Sequence, residues 1–255
     1  MKMSFKDKVV VITGAGRGLG YGMARRFGQE GAHAIIAEID PVLGQQAAES
    51  LRAEGLLATY EPLDVRDPAQ SVTLVEKLAQ RYGHVDVWVN NAGIAFLAPA
   101  EQISLQEWDD SIAVMLSGAF YCSQAVGRQM LAQGAGVIVN IASVSGIQYI
   151  EGRVAYSVPK AALIMLTQAL GIEWGKRGVR VVGVAPGVVM TEMVQKSLDE
   201  GSGSLDAYQR RTPMRRLGTV DEVAEAVLFL AGEQASFIVG EVLRVDGGWA
   251  AYQMF

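Results

Sequence analysis

Hydrophobic and polar positions alternate in blocks along the chain. Short apolar runs rich in Val and Ile predict buried strands at Val9–Thr13, Ala34–Glu38, Val85–Asn90, Val137–Ser143, Val179–Val184 and Val242–Val245, with a weaker one at Ala58–Glu61. Segments with apolar residues at helical spacing separate them, near residues 18–30, 41–54, 68–82, 105–132, 155–177 and 221–232. Apolar strands that alternate with helices are typical of a parallel sheet covered on both faces. We therefore predict an α/β fold built on a doubly wound parallel sheet of about seven strands.

One segment shows neither pattern. It runs from Lys196 to Arg216 and has Gly201-Ser202-Gly203-Ser204 at its centre. A loop of this length inside a domain is usually functional, so we expect a mobile substrate loop near residues 190–216. Because no linker divides the rest, we predict that residues 1–255 form a single domain.

Composition and charge exclude several classes of function. The 22 basic and 27 acidic side chains give a net charge of −5, which argues against a nucleic-acid partner. No apolar run is long enough for a membrane helix, and the N-terminus lacks the apolar stretch of a signal peptide. One cysteine, Cys122, suits a cytoplasmic location, and a single Cys with two separated His residues predicts no metal site.

A glycine-rich loop follows the first strand. It reads Gly14-Ala15-Gly16-Arg17-Gly18-Leu19-Gly20, and an amphipathic helix comes next. Glycines at a strand-to-helix turn let backbone N–H groups approach a phosphate, and the helix N-terminus adds partial positive charge. A simple tight turn is the alternative, but the position after the first strand favours a dinucleotide site.

The second predicted strand ends in an acid, Glu38, 18 residues after Gly20. A carboxylate at this point of a dinucleotide fold accepts hydrogen bonds from the adenosine ribose and repels a 2′-phosphate, which favours NAD over NADP. Two other interpretations stay open: Glu38 is merely solvated, or it pairs with Arg17. A basic residue in the glycine loop can also receive a 2′-phosphate.

Three further residues suggest acid–base chemistry. Tyr156 and Lys160 are four residues apart and therefore share one face of a helix. The helix is expected to start near Ala155, so that Pro159 falls in the first turn. A neighbouring ammonium lowers the pKa of a phenol, and Ser143, 13 residues before Tyr156, can hold a carbonyl or alcohol oxygen beside it.

These motifs together resemble the short-chain dehydrogenase/reductase family over essentially the whole chain. The matching motifs are Thr13-Gly14-x-x-x-Gly18-x-Gly20, Asn90-Asn91-Ala92-Gly93, Tyr156-x-x-x-Lys160, Pro186-Gly187 and Val245-Asp246-Gly247-Gly248. The resemblance implies a Rossmann-like fold with Tyr156 as general acid/base, Lys160 lowering its pKa, and Ser143 orienting the substrate. It implies a cofactor site formed by Gly14, Arg17, Gly18, Leu19, Gly20, Glu38, Asp64, Val65, Asn91, Ala92, Gly93, Tyr156, Lys160, Pro186, Gly187, Val188 and Thr191.

One position departs from the family. Met115 stands where the family usually has an Asn that helps to hold a proton-relaying water. Methionine supplies a backbone carbonyl but no side-chain amide. We expect an active enzyme with a modified relay, and keep a low-activity cofactor-binding sensor or regulatory protein as the alternative.

The substrate class follows from the predicted walls of the pocket. Candidate substrate residues are Ile94, Phe96, Ser145, Gln148, Tyr149, Arg153 and Met193. This mixture suits a small secondary alcohol or ketone, including a polyol or sugar. A 3-oxoacyl-carrier-protein reductase using NADPH is the runner-up, disfavoured by Glu38 and by the acidic charge. By resemblance a homotetramer is expected, with apolar helix faces and the C-terminal Trp249–Phe255 segment at interfaces.

Overall fold

The computed structural model describes residues 4–199 and 204–252. The side chains of Met193, Lys196 and Ser197 lie outside the described part.

Seven parallel strands form one sheet, as predicted. They are β1 (Val9–Thr13), β2 (His33–Glu38), β3 (Ala58–Pro62), β4 (Val87–Asn90), β5 (Gly136–Ile141), β6 (Val179–Pro186) and β7 (Val242–Val245). Their order is β3-β2-β1-β4-β5-β6-β7, and every neighbouring pair is parallel. The order reverses between β1 and β4, and ligands bind at such switch points beyond the carboxyl ends of the strands. The fold is Rossmann-like.

Nine α-helices lie within the described residues. They are α1 (Gly18–Gln29), α2 (Pro41–Ala53), α3 (Pro68–Tyr82), α4 (Leu105–Ile112), α5 (Gly118–Gln133), α6 (Val154–Gly175), α7 (Glu192–Asp199), α8 (Leu205–Arg211) and α9 (Val220–Ala231). Asp40 and Asp67 cap α2 and α3 through their side chains, each followed by a proline. These local signals explain why the starts of α2 and α3 were predictable.

The core lies on both faces of the sheet. One face packs Met23 and Phe27 of α1 and Leu228 of α9 against the strands. The other packs Leu78 of α3 and Met130 of α5. Both faces of the central strands are buried, which is why their sequences are continuously apolar.

The single helix predicted over 105–132 is interrupted. A π-helical turn, Ala113–Ser117, separates α4 from α5. Residues 112–116 are all apolar, so hydrophobic periodicity cannot distinguish an α turn from a π turn here. Such turns occur frequently at functional sites, and Met115 is at the centre of this one.

The segment expected to be a loop, 190–216, contains α7 and α8. Thr191 Oγ1 accepts from Val194 N at 3.3 Å, and Ser204 Oγ accepts from Ala207 N at 3.3 Å, so each helix starts at a capping side chain. The Gly201-Ser202-Gly203 stretch lies outside the described residues. These two short helices were not predicted, because the glycine- and serine-rich stretch between them favours a loop.

Helix α6 begins one residue before the expected start, at Val154, so Pro159 is not in its first turn. Proline has no N–H, and the Ala155 carbonyl therefore lacks its usual helical partner. Among the described helices, none is both long and apolar enough to cross a membrane.

Candidate active site

The glycine loop forms an anion-binding cradle at the carboxyl end of β1. Gly14 and Gly18 have φ values of +63° and +59°, which disfavour side chains. A Cβ at Gly20 would lie 2.7 Å from Asn91 Nδ2, so only glycine allows this close approach. Helix α1 has no side-chain cap, which leaves its first N–H groups free for a ligand. The donors present fit the pyrophosphate of a dinucleotide.

Glu38 is buried at the end of β2, against this loop. Its Oε2 accepts from Gly16 N at 3.0 Å, and its Oε1 accepts from Ile39 N at 3.0 Å and Asp40 N at 3.2 Å. Arg17 is exposed and makes no ion pair with it among the described contacts. The carboxylate is thus fixed by backbone donors beside the phosphate cradle, rather than by pairing with Arg17.

Asp64 follows β3 and is paired with a residue that sequence reasoning did not single out. Arg66 Nη2 lies 2.7 Å from Asp64 Oδ2, and its Nε lies 2.9 Å from Oδ1. The Arg66 guanidinium lowers the pKa of Asp64. Val65 is buried beside it. The backbone at this position is therefore held in place by an ion pair.

Asn91 joins β4 to the glycine loop. Its Nδ2 donates to Thr13 O at 2.9 Å and to Gly14 O at 3.1 Å, while Thr13 Oγ1 accepts from Asn91 N and Ala92 N, each at 3.0 Å. Gly93, next along the chain, is exposed. The Asn-Asn-Ala-Gly motif thus fixes the geometry of the phosphate cradle.

Asn90 begins a buried polar network across the central strands. Its Nδ2 donates to Asn140 Oδ1 at 2.8 Å and to Ser123 Oγ at 2.9 Å, and Asn140 Nδ2 donates to Thr167 Oγ1 at 2.9 Å. These buried groups satisfy one another, as groups in a dry interior must. Asn140 and Thr167 were not predicted, because neither stands in a recognisable motif.

Ser143, Tyr156 and Lys160 meet at the carboxyl end of β5. Ser143 Oγ accepts from Ser145 N at 3.1 Å, which orients the hydroxyl. Lys160 Nζ donates to Ile141 O at 2.6 Å and lies 5.8 Å from the centre of the Tyr156 ring. One helical turn and one strand end therefore bring the three predicted groups together.

Burial shifts the pKa values of both titrating groups away from the charged forms. Desolvation raises the pKa of Tyr156, while the Ser143 hydroxyl and the charge of Arg153 act in the opposite direction. Desolvation lowers the pKa of Lys160 to about 8. The two groups have nearly equal pKa values in water, so these opposite shifts move them apart and place the pKa of the Lys160 amine below that of the Tyr156 phenol.

The turn after β6, where further cofactor residues are predicted, packs against the turn after β7. Pro186 ends β6, and Gly187 N donates to Val245 O at 2.9 Å. A Cβ at Gly187 would lie 2.9 Å from Asp246 Cα, so a larger residue would push the two turns apart. Val188 O accepts from Gly218 N at 3.0 Å, and Thr191 caps α7.

The predicted substrate residues do not form one uniform wall. Ser145 is buried, Ile94 and Phe96 are half-buried, and Tyr149 is 59% exposed. The side chain of Met193 lies outside the described residues. Two other candidates are polar: Gln148 and Arg153.

Gln148 has a partner that was not predicted. Its Oε1 accepts from Arg211 Nη2 at 2.9 Å, and the Arg211 guanidinium lies 5.6 Å from the centre of the Trp249 ring. Sequence reasoning missed Arg211 because it lies in the segment interpreted as a loop.

Met115 is 1% exposed in the π-helical turn. A cavity of about 10 Å³, the size of one water molecule, lies beside it and is also lined by Thr13 and Asn90. No group of three or more potential metal ligands occurs in the part of the chain that the structure describes.

Comparison with known proteins identifies the family. The sequence profile described as Enoyl-(Acyl carrier protein) reductase matches residues 14–250. D-threitol dehydrogenase of Mycolicibacterium smegmatis is 40% identical over 246 residues, covering 95% of this chain and 92% of that protein. The chain belongs to the short-chain dehydrogenase/reductase family. It is therefore an oxidoreductase whose fold binds NAD(P) and whose relatives act on alcohols.

Two further relatives within the short-chain dehydrogenase/reductase family differ in chemistry. A 3-oxoacyl-[acyl-carrier-protein] reductase of Thermotoga maritima is 38% identical and covers 96% of this chain and 99% of its own length. The crystal structure of a gluconate 5-dehydrogenase from Burkholderia cenocepacia in complex with NADP and tartrate has a TM-score of 0.93, at 34% identity and 98% coverage of both chains.

Proposed function

We propose that the protein is an NAD-dependent dehydrogenase that interconverts a secondary alcohol of a polyhydroxylated substrate and the corresponding ketone. The observation that carries this proposal is the cluster of Ser143, Tyr156 and Lys160 at the end of β5, beside the uncapped glycine loop. The threitol and gluconate dehydrogenases among the relatives support the substrate class.

Each residue of the cluster has a separate role in the proposal. Tyr156 takes the proton of the alcohol during oxidation and returns it during reduction. Ser143 holds the reacting oxygen beside Tyr156, and Ser145 N fixes its hydroxyl. Lys160, held by Ile141 O, favours the phenolate form of Tyr156. Bound NAD⁺ would supply the hydride acceptor.

The preference for NAD rests on Glu38. Its buried carboxylate faces the glycine loop, where the adenosine end of the cofactor would lie. A 2′-phosphate would bring like charge into a partly dehydrated space, which is unfavourable by several kcal/mol when uncompensated. Arg17 is exposed next to this position and would be the natural partner of a 2′-phosphate if Glu38 were removed.

The test compares kcat/KM for NAD⁺ and NADP⁺ with D-threitol as the substrate. We expect a preference for NAD⁺ that Glu38→Gln reduces by roughly tenfold or more. Asp40→Asn is the matched control, since it removes a charge two residues away and keeps a capping side chain for α2. A wild-type enzyme that already prefers NADP⁺ would contradict the role of Glu38.

A carrier-protein reductase is the second candidate, because one relative has that activity. Reduction of an acetoacetyl thioester with NADPH at a higher kcat/KM than any polyol oxidation would favour it.

The homotetramer also stays a proposal, supported by Met165 and Ile172, which leave 63% and 78% of their surface exposed on α6.

A further inference from the structure

Three segments of the chain meet at Arg211. Its guanidinium comes from the last residue of α8, donates to Gln148 of the loop after Ser143, and stacks on Trp249 of the turn after β7. Trp249 is buried, so it forms a fixed platform for the cation. Arg211 is thus held in one place rather than free on the surface.

The pair of side chains presents hydrogen-bond donors and hardly any acceptors. A guanidinium carries five N–H donors, and the described contacts use one of them, on Gln148 Oε1. This contact occupies the acceptor of Gln148 and leaves its NH₂ group as a donor. A carboxylate, which only accepts, suits such a pair better than a neutral hydroxyl does.

No acidic side chain of the described residues neutralises Arg211. Glu151, in the same loop as Gln148, and Glu192, at the start of α7, make no ion pair with it. Asp246 lies near Trp249, but its two oxygens accept from Gly248 N and Ala250 N, each at 2.9 Å. The positive charge is therefore available to a ligand.

The strand order places this charge on the substrate side of the site. Gln148 follows β5 and Trp249 follows β7, whereas Glu38 ends β2 on the other side of β1 and β4. The phosphate cradle follows β1, between these two regions. Arg211 therefore lies on the side of the sheet away from the adenosine half of the cofactor site.

A second cation supports this arrangement. Arg153, which precedes α6, makes no ion pair among the described residues, and its charge partly opposes the rise that burial causes in the pKa of Tyr156. Two cations without acidic partners thus lie around the catalytic loop of a chain whose net charge is −5.

We propose that Arg211 and Gln148 form a recognition pair for the carboxylate of the substrate, so that the enzyme favours a sugar acid over a neutral polyol. This inference rests on the proposed dehydrogenase function and specifies its substrate class. Arg211 binds the carboxylate end of the substrate and sets the specificity. Ser143 and Tyr156 bind and deprotonate the hydroxyl group that reacts.

The test measures kcat and KM with saturating NAD⁺ for D-gluconate and for the neutral polyols D-threitol and galactitol. We expect the wild-type enzyme to give the higher kcat/KM with gluconate. Arg211→Gln is expected to lower that value by roughly 10–100-fold, mainly through KM, because a charge-assisted contact is lost. Arg211→Lys retains the charge but lacks the paired donors of a guanidinium. Its kcat/KM for gluconate is expected to lie between the values of the wild type and of Arg211→Gln.

The control is Arg210→Gln, one residue away on α8, where the guanidinium pairs with Asp206 and is largely exposed. This variant is expected to change kcat/KM by no more than roughly threefold, for gluconate and for the neutral polyols alike. In Arg211→Gln, kcat/KM for the neutral polyols is also expected to change little. A loss confined to gluconate would indicate recognition of charge, whereas a role in supporting the loop would affect all substrates.

Three results would overturn the inference. Equal losses for gluconate and threitol in Arg211→Gln would mean that Arg211 only holds the loop in place. A rise in the KM of NAD⁺ alone would assign it to the cofactor. A wild-type enzyme that oxidises threitol or galactitol but not gluconate would refute the acid preference while leaving the proposed function intact, whereas no oxidation of any of the three would contradict the proposed function itself.

Discussion

Met115→Asn restores the amide usual in this family, and the structure predicts its effect. The π-helical turn at Ala113–Ser117 is present with methionine at its centre, so the backbone distortion does not depend on the amide. We therefore expect kcat to change by less than roughly tenfold. The backbone at position 115 and the adjoining water-sized cavity remain available to a proton path in either variant.

Stability, in contrast, is expected to fall. Methionine at 1% exposure contributes about 1.5–3 kcal/mol by burial. A buried amide without a partner costs about 1–3 kcal/mol, and the neighbouring Asn90 amide is already engaged by Asn140 and Ser123. Together these terms predict a loss of about 2.5–6 kcal/mol, which lowers Tm by roughly 5–12 °C for a chain of this size.

The assay pairs thermal unfolding with turnover of one alcohol at several pH values. Met115→Leu is the control, since it keeps an apolar side chain of similar volume and is expected to match the wild type in both measurements. A gain in kcat of several orders of magnitude in Met115→Asn, absent in Met115→Leu, would contradict the expected small change. It would show that proton relay limits turnover when the side-chain amide is absent.

Two further predictions concern stability and reactivity. Gly178→Ala is expected to lower the free energy of unfolding by more than about 3 kcal/mol, because φ is +85° and the new Cβ would collide with the carbonyl of Gly134. Gly55→Ala is the control, since φ is +81° but the space around it is open, and its expected loss is about 1 kcal/mol. Equal losses in denaturant titrations would contradict the clash. Burial raises the pKa of Cys122 to about 11, so a thiol reagent at neutral pH is expected to label it only as the protein unfolds. Rapid labelling of the native protein would contradict this.

The strands were predictable because their burial is visible in the sequence. All seven predicted strands are present. The inner strands are buried on both faces and are therefore largely apolar, whereas the edge strands β3 and β7 are partly exposed and carry a weaker apolar signal. The ends were less accurate: β4 begins at Val87 rather than Val85, and β5 ends at Ile141, which leaves Ser143 just beyond the strand. These ends depend on hydrogen bonds to neighbouring strands, which local patterns do not encode.

The site was predictable where chemistry requires a motif. The glycine loop and the Tyr156/Lys160 spacing constrain residue types at fixed intervals, and the structure places these residues at the carboxyl edge of the sheet, beyond β1 and β5. Arg66 and Arg211 were missed because each acts through a contact that folding creates, with Asp64 in one case and with Gln148 and Trp249 in the other. An arginine in a segment without periodicity carries no local signal of such a role.

Tyr156→Phe removes the group that we propose as the general acid/base of an NAD-dependent alcohol dehydrogenase, and it keeps the aromatic ring. The measurement is kcat for oxidation of the preferred polyol or sugar acid, together with the Kd of NADH for the same protein. We predict a fall in kcat of roughly 10²–10⁴-fold with NADH binding retained, while Tyr121→Phe, which removes a phenol hydroxyl from α5, stays near the wild type. Turnover by Tyr156→Phe at close to the wild-type rate would show that Tyr156 is not the acid–base group.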